Sequence, residues 1–238
     1  MYRRSGNNRF IDNLRLQEFA NYLLTNEHDD RDFTFVVENN EITCHKLIVK
    51  HASDGLRKKF SEWEKLKEPK VTLTNVSYKV FTRLMGYIYT ALFNYRGLND
   101  KDALELLKIA NDFELVELCS EICSEVESKG FLSIWTVSKF MKMANDFRFQ
   151  DLHNTCIKFM DDHSLEVIVN NTYLDIPANL LVLVLNRDTF YSKEIEIFKA
   201  VKAWLDKNSE TVTDEDKTSL LATVRLNYIT ESEFEAIV

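Results

Sequence analysis

The apolar residues of this chain change their spacing once, and that change limits what it can fold into. Phe33-Thr34-Phe35-Val36-Val37 is a run of β-branched and aromatic residues, the composition of a half-buried strand. From Asn99 onward every periodic stretch has helical spacing instead. Leu104, Leu107 and Ala110 form one such set, and Leu115, Leu118, Ile122 and Val126 the next. Phe140, Met141 and Ala144 follow, then Leu152, Cys156, Phe159 and Met160. Leu180, Leu181 and Val184, and then Ile195, Phe198, Val201, Trp204 and Leu205, complete the series. A small sheet at the front and helices behind it read as an α+β unit followed by an all-α unit of helical hairpins. Gly130 is the natural break between them.

Within the first unit the order of elements is legible. Residues 1–13 are rich in Arg and Asn and read as a disordered leader. Leu16, Phe19, Ala20 and Leu23 then recur at helical spacing, one apolar face of a short helix. A helix this short is marginal alone, so the face docks on something: the rest of the chain, or a second copy. Glu38-Asn39-Asn40-Glu41 joins the first strand to Ile42-Thr43-Cys44, and the Asn pair tolerates the positive φ of a hairpin turn. Pro69 introduces a third strand at Lys70–Thr74. Between the strands lie helical stretches at His45–His51 and Leu56–Trp63, and Ser77 stands as N-cap ahead of Val80, Phe81, Leu84, Met85 and Ile88. In the second unit Ser133 opens a helix, Pro177 suits a first helical position, and Thr230-Glu231-Ser232-Glu233 is a capping box before Phe234 and Ile237.

Lys108-Ile109-Ala110-Asn111-Asp112-Phe113 matches Lys142-Met143-Ala144-Asn145-Asp146-Phe147 at an offset of 34 residues. That is the tetratricopeptide period, but only two copies exist and its Trp/Gly/Tyr/Pro signature is missing. The simpler reading is a helical hairpin in each copy, with the Asn-Asp turn ending one helix and starting the next.

Composition removes several function classes. Five Gly and two Pro in 238 residues are too few for the turns of a β sandwich, and no Gly-rich phosphate loop occurs. A net charge of −8 argues against nucleic acid as the main partner. No apolar run of about 18 residues is present, so no membrane-spanning helix is expected. The basic residues up to Arg15 lack a signal-peptide core, and four cysteines suit a reducing, cytoplasmic compartment. The sequons at Asn75 and Asn170 then read as chance matches. Five His, at 28, 45, 51, 153 and 163, sit in no nucleophile or zinc-protease constellation, so no enzymatic activity is expected. Cys119 with Cys123, and His153 with Cys156, could each put two ligands on one helix face. Zinc needs four convergent ligands, and buried Cys is common as a small apolar residue, so neither metal nor cofactor is expected.

The stretch Lys58-Lys59-Phe60-Ser61-Glu62-Trp63-Glu64-Lys65 reads two ways. An aromatic residue ringed by charge is a common interface anchor, while the alternative is a solvated helix face with Trp63 packed beneath it. Tyr89 and Tyr95 flank the end of a nearby helix and would border the same face.

Taken in order, these residues resemble the BTB (POZ) and BACK families. Asp32-Phe33-Thr34-Phe35-Val36 followed by His45-Lys46-Leu47-Ile48-Val49 is similar to the opening hairpin and helix of the BTB domain. Val71-Thr72-Leu73, Val80-Phe81 and Gly86-Tyr87-Ile88-Tyr89-Thr90 resemble its later strand and helix, and Leu106 to Phe113 with Leu118 its final helical pair. Residues 131–208 resemble BACK through Ala144, Leu152, Cys156-Ile157, Phe159-Met160-Asp161, Leu181 to Val184, Arg187-Asp188 and Glu196-Ile197-Phe198 with Ala200-Val201 and Trp204. The likeness covers residues 14–238, a BTB domain over 14–129 and a BACK domain over 130–238. It implies a non-enzymatic adaptor, a homodimer through the BTB domain with Leu16, Phe19, Ala20 and Leu23 at the interface, and an unknown protein substrate. It also implies cullin-3 as a partner in a ubiquitin ligase complex, contacted by an apolar-x-Glu motif. Phe60-Ser61-Glu62 fits that pattern slightly early, and Trp63-Glu64-Lys65 is in register but ends in Lys. Phe60, Glu62, Trp63, Glu64 and Tyr89 are therefore the expected partner-binding residues. The alternative is an assembly or signalling scaffold that does not bind cullin-3. Asp32 and Lys46 resemble a charged pair near the groove of dimeric BTB repressors; the alternative is a structural ion pair.

Overall fold

A computed structural model describes residues 7–25, 30–65 and 70–235. Of the leader, residues 1–6 lie outside this range, as do His28, Pro69 and Ile237. The chain divides into two compact units, 1–122 and 123–238. The division falls inside one helix, seven residues before Gly130.

The first unit opens with α1 (Asn7–Thr25), so residues 7–13, read from sequence as leader, are helical. Then come β1 (Phe33–Val37), β2 (Asn40–Cys44), α2 (Lys46–Lys50), α3 (Asp54–Lys65), β3 (Lys70–Leu73), α4 (Tyr78–Thr90), α5 (Asp100–Asp112) and α6 (Val116–Lys129), within which the division lies. The sheet order is β2-β1-β3, with β2 antiparallel and β3 parallel to β1. A parallel neighbour needs a crossover, and α2 with α3 supplies it. Positive φ falls at Glu38 and Asn39, one residue earlier than the Asn pair suggests, and Val37 faces Asn40. Asn40 occupies the strand because its Nδ2 turns back to donate to the Glu38 carbonyl at 3.0 Å. Alternate β1 residues Phe33, Phe35 and Val37 are buried, and Phe35 meets Phe60 and Phe81 edge-on.

Helix ends follow their caps. Ser77 Oγ accepts the Val80 N–H, and Asn99 Oδ1 accepts the Asp102 N–H at 2.8 Å. The 34-residue repeat is a cap repeat. After α5, Leu115 N–H donates to the Ala110 carbonyl with Glu114 at φ +55°; after the equivalent helix, Phe149 N–H donates to Ala144 with Arg148 at φ +61°. Both are Schellman motifs with a non-glycine residue in the left-handed position. α3 starts hard against the first of these corners. A Cβ on Gly55 would come within 2.7 Å of the Phe113 carbonyl oxygen, so glycine is needed for this close approach.

The second unit holds α7 (Val137–Asp146), α8 (Gln150–Asp162), α9 (Ser164–Val169), α10 (Ala178–Leu185), α11 (Glu194–Lys207), α12 (Asp214–Ala222) and α13 (Glu231–Glu235). α7 and α8 pack as a hairpin. Ser133 lies one turn ahead of α7, where its carbonyl accepts the Val137 N–H at 2.9 Å, and Pro177 is the N-cap of α10 rather than its first residue. The capping box is formed: Thr230 N–H donates to Glu233 Oε2 at 3.0 Å, and Glu233 N–H to Thr230 Oγ1. Trp204 is buried on α11 and donates its indole N–H to the Ile176 carbonyl at 2.9 Å. Arg187 forks onto Asp161, at 3.0 Å from Nε and 2.9 Å from Nη2, and Thr189 Oγ1 donates to the same carboxylate. Asp161, Arg187 and Trp204 thus serve the architecture of this unit.

Candidate partner-binding site

Two faces of the first unit carry the residues expected to bind partners. On α3, Phe60 points inward and is fully buried between Phe33, Phe35 and Trp63. This corrects the expectation that Phe60 is an exposed anchor. Lys58 and Glu62, two positions to either side, lie about half a turn round the helix on the charged face, and the sheet claims the aromatic side. Trp63 is half-buried, stacked on Phe33 at 6.0 Å and edge-on to Phe35 and Phe60 at 5.8 and 5.0 Å. It therefore packs on the core and presents only part of its ring. Glu62 is exposed. Glu64 is held by two cations, Lys46 at 2.7 Å and Lys50 at 3.2 Å, whose hydrogen bonds keep its carboxyl below the usual carboxylate range.

Tyr89 does not join the α3 face. Its hydroxyl is tied to His45, receiving the backbone N–H and lying 2.8 Å from Nδ1, and burial pushes its phenol pKa up. Nor do Asp32 and Lys46 form a side-chain pair. The Asp32 carboxylate accepts the Lys46 backbone N–H at 2.7 Å and so caps α2, while the Lys46 ammonium goes to Glu64.

The second face is α1. Leu16 is 65% exposed and Phe19 59%, while Ala20 and Leu23 are half-buried. α1 packs along α4, and its outward stripe borders an open groove of about 390 Å³ that also takes in Ile48, Ile88 and Ala91. Tyr22 and Leu47 are exposed as well and were not singled out by sequence. Leu47 was visible as an apolar residue in a helical stretch; which way it faced was not, because α2 is barely more than one turn long.

The cysteines are free and buried. Burial pushes the Cys44 thiol up to about 12 and Cys119 to about 11, so both are poor thiolates near neutrality. Among the described residues no group of three or more His, Cys, Asp or Glu could hold a metal ion, and no helix is long and apolar enough to cross a membrane.

Comparison with known proteins matches residues 21–130 to the BTB/POZ domain and residues 137–238 to BACK, "BTB And C-terminal Kelch". The chain is 26% identical to BTB/POZ domain-containing protein 9 of Drosophila melanogaster over 82% of its length and 26% of that protein's. It is 26% identical to the Homo sapiens protein of the same name, over 94% of this chain and 36% of that one. It therefore spans roughly a third or less of these curated relatives. Among solved structures it is similar to the BTB domain of human gigaxonin, with a TM-score of 0.40 and 19% identity over 52% of this chain and 95% of that one.

Proposed function

We propose that this chain, which carries a BTB/POZ domain followed by a BACK domain, is a dimeric, non-enzymatic substrate adaptor of a cullin-3 ubiquitin ligase, working in the cytoplasm. The observation that carries the reading is the α1 stripe. Leu16 and Phe19 stand largely in water beside Ile48 and Ile88, an apolar surface that a second BTB unit would cover. The cullin would meet α3 through Glu62 and the exposed part of Trp63, with Glu64 as a screened rim contact. Bond-making on ubiquitin would belong to partner subunits, and the protein substrate would be brought by surfaces that carry no motif here.

A second reading is an assembly or signalling scaffold that does not bind cullin-3. The burial of Phe60 and the pairing of Glu64 with Lys46 and Lys50 favour it: the first takes the apolar half of Phe60-Ser61-Glu62 out of solvent, and the second offsets the charge of the other nearby carboxylate. Titration of the intact chain with the cullin-3 N-terminal domain separates the two. Binding at about micromolar concentration or tighter supports the adaptor; no binding at tens of micromolar leaves the scaffold.

A further inference from the structure

The strand β2 lies at the edge of the sheet. Its hairpin closes at Val37 and Asn40, a hydrogen-bonded pair in a two-residue loop, so Ile42 also faces β1 with its backbone groups. Glu41 and Thr43 then turn their N–H and C=O groups to the outside. Arg31 Nη1 takes the Thr43 carbonyl at 3.2 Å. Among the described residues no backbone group pairs with the Glu41 N–H and C=O or the Thr43 N–H. Beneath this edge the space between sheet and α4 is open, a cleft of about 310 Å³ whose apolar lining includes Leu24, Ile42 and Met85. That volume accepts an aliphatic side chain, and the side chains of a strand beside β2 would alternate between it and the outer face.

We propose that the β2 edge and this cleft take an extended peptide segment of a partner protein as an added strand. The segment carries aliphatic side chains inward, at the level of Ile42, and basic ones outward. Charge complementarity supports the outward preference. Asp30 and Glu38 stand at the edge and the hairpin turn, each with one carboxylate oxygen in contact with His45 or the Tyr78 N–H; Glu41 beside them is shared with Lys70 across an exposed ion pair, and Arg31 is committed to the carbonyls of Leu23, Leu24 and Thr43. An edge with free backbone groups is a template for pairing, and the cleft selects what pairs. The inference does not depend on whether α3 meets a cullin or α1 a second copy.

The test uses the intact chain and one probe, the capped heptapeptide Lys-Val-Lys-Val-Lys-Val-Lys. The expected result is saturable binding, with slowed amide exchange confined to β2, at Glu41 and Thr43. N-methylating the peptide on its pairing edge should weaken binding about tenfold or more, because strand hydrogen bonds are lost while charge and side chains remain. Thr43→Pro, which deletes an outward N–H, and Thr82→Trp, which crowds the cleft from an exposed helix position, should each do the same. Two variants at different places guard against misfolding of either. Equal binding by the N-methylated peptide would reduce the effect to charge attraction and overturn the proposal. So would protection that maps to α1 or α3, or no binding up to about millimolar peptide.

Discussion

Tyr89 and His45 hold each other through one oxygen. The Tyr89 hydroxyl receives the His45 backbone N–H at 2.8 Å and lies 2.8 Å from its Nδ1. If the hydroxyl donates to Nδ1, the ring proton sits on Nε2 and faces Asp30 at 3.3 Å, a tautomer assigned from the network. This joins the last turn of α4 to the start of α2. Tyr89→Phe removes both of these contacts to His45. The expected loss is about 1–3 kcal/mol in denaturant unfolding.

The α3 residues should separate by burial. Phe60→Ala empties a fully buried aromatic site and should cost about 3–5 kcal/mol. Trp63→Ala should cost less, because its ring is only half-buried, yet enough to lower the melting temperature measurably. Glu62→Ala should leave stability within about 0.5 kcal/mol. On the adaptor reading it should still weaken cullin-3 binding and flatten its salt dependence.

The paired helix caps make an asymmetric prediction. Arg148 and Glu114 both occupy the left-handed region, where glycine is at ease. Arg148→Gly should stabilise the protein by about 0.5–1 kcal/mol in urea melts. Glu114→Gly should gain less, because it also removes the ion pair with Lys58 at 3.1 Å.

His153 gives stability a pH dependence. Partial burial lowers its pKa below the ordinary 6.5. As pH falls past 6.5 the unfolded chain takes up a proton before the folded one does. The stability present above that value is therefore lost progressively until the lower, folded pKa is passed. Melts recorded down this range should show the decline, and His153→Gln should remove its share of it.

The α1 stripe should control assembly. Phe19→Asp places a charge in the centre of an apolar surface. Light scattering at tens of micromolar should then report the 27.9 kDa monomer instead of the dimer, with helix content retained. If the native chain is already a monomer, α1 docks only within its own unit.

The order of elements was legible because the signals are local. The hairpin needed β-branched residues around a turn, Ser77 and Asn99 needed only the N–H groups three residues on, and the capping box needed two side chains three positions apart. The repeat marked by Asn111-Asp112-Phe113 and Asn145-Asp146-Phe147 was legible too, although the αL residue that follows each was not. Glu114 and Arg148 have no preference for positive φ, and the next helix imposes it.

What the sequence determined by itself is the composition of each face: which residues are apolar, which charged, and at what spacing. What only the tertiary structure decided is what those faces meet. Phe60 and Trp63 read as anchors until β1 brought Phe33 and Phe35 beneath them. Asp32 and Lys46 read as an ion pair until the α2 backbone took the carboxylate and Glu64 took the ammonium. Periodicity is carried by neighbours a turn apart, whereas burial and pairing depend on residues 14 to 44 positions away, which chain folding alone brings within reach.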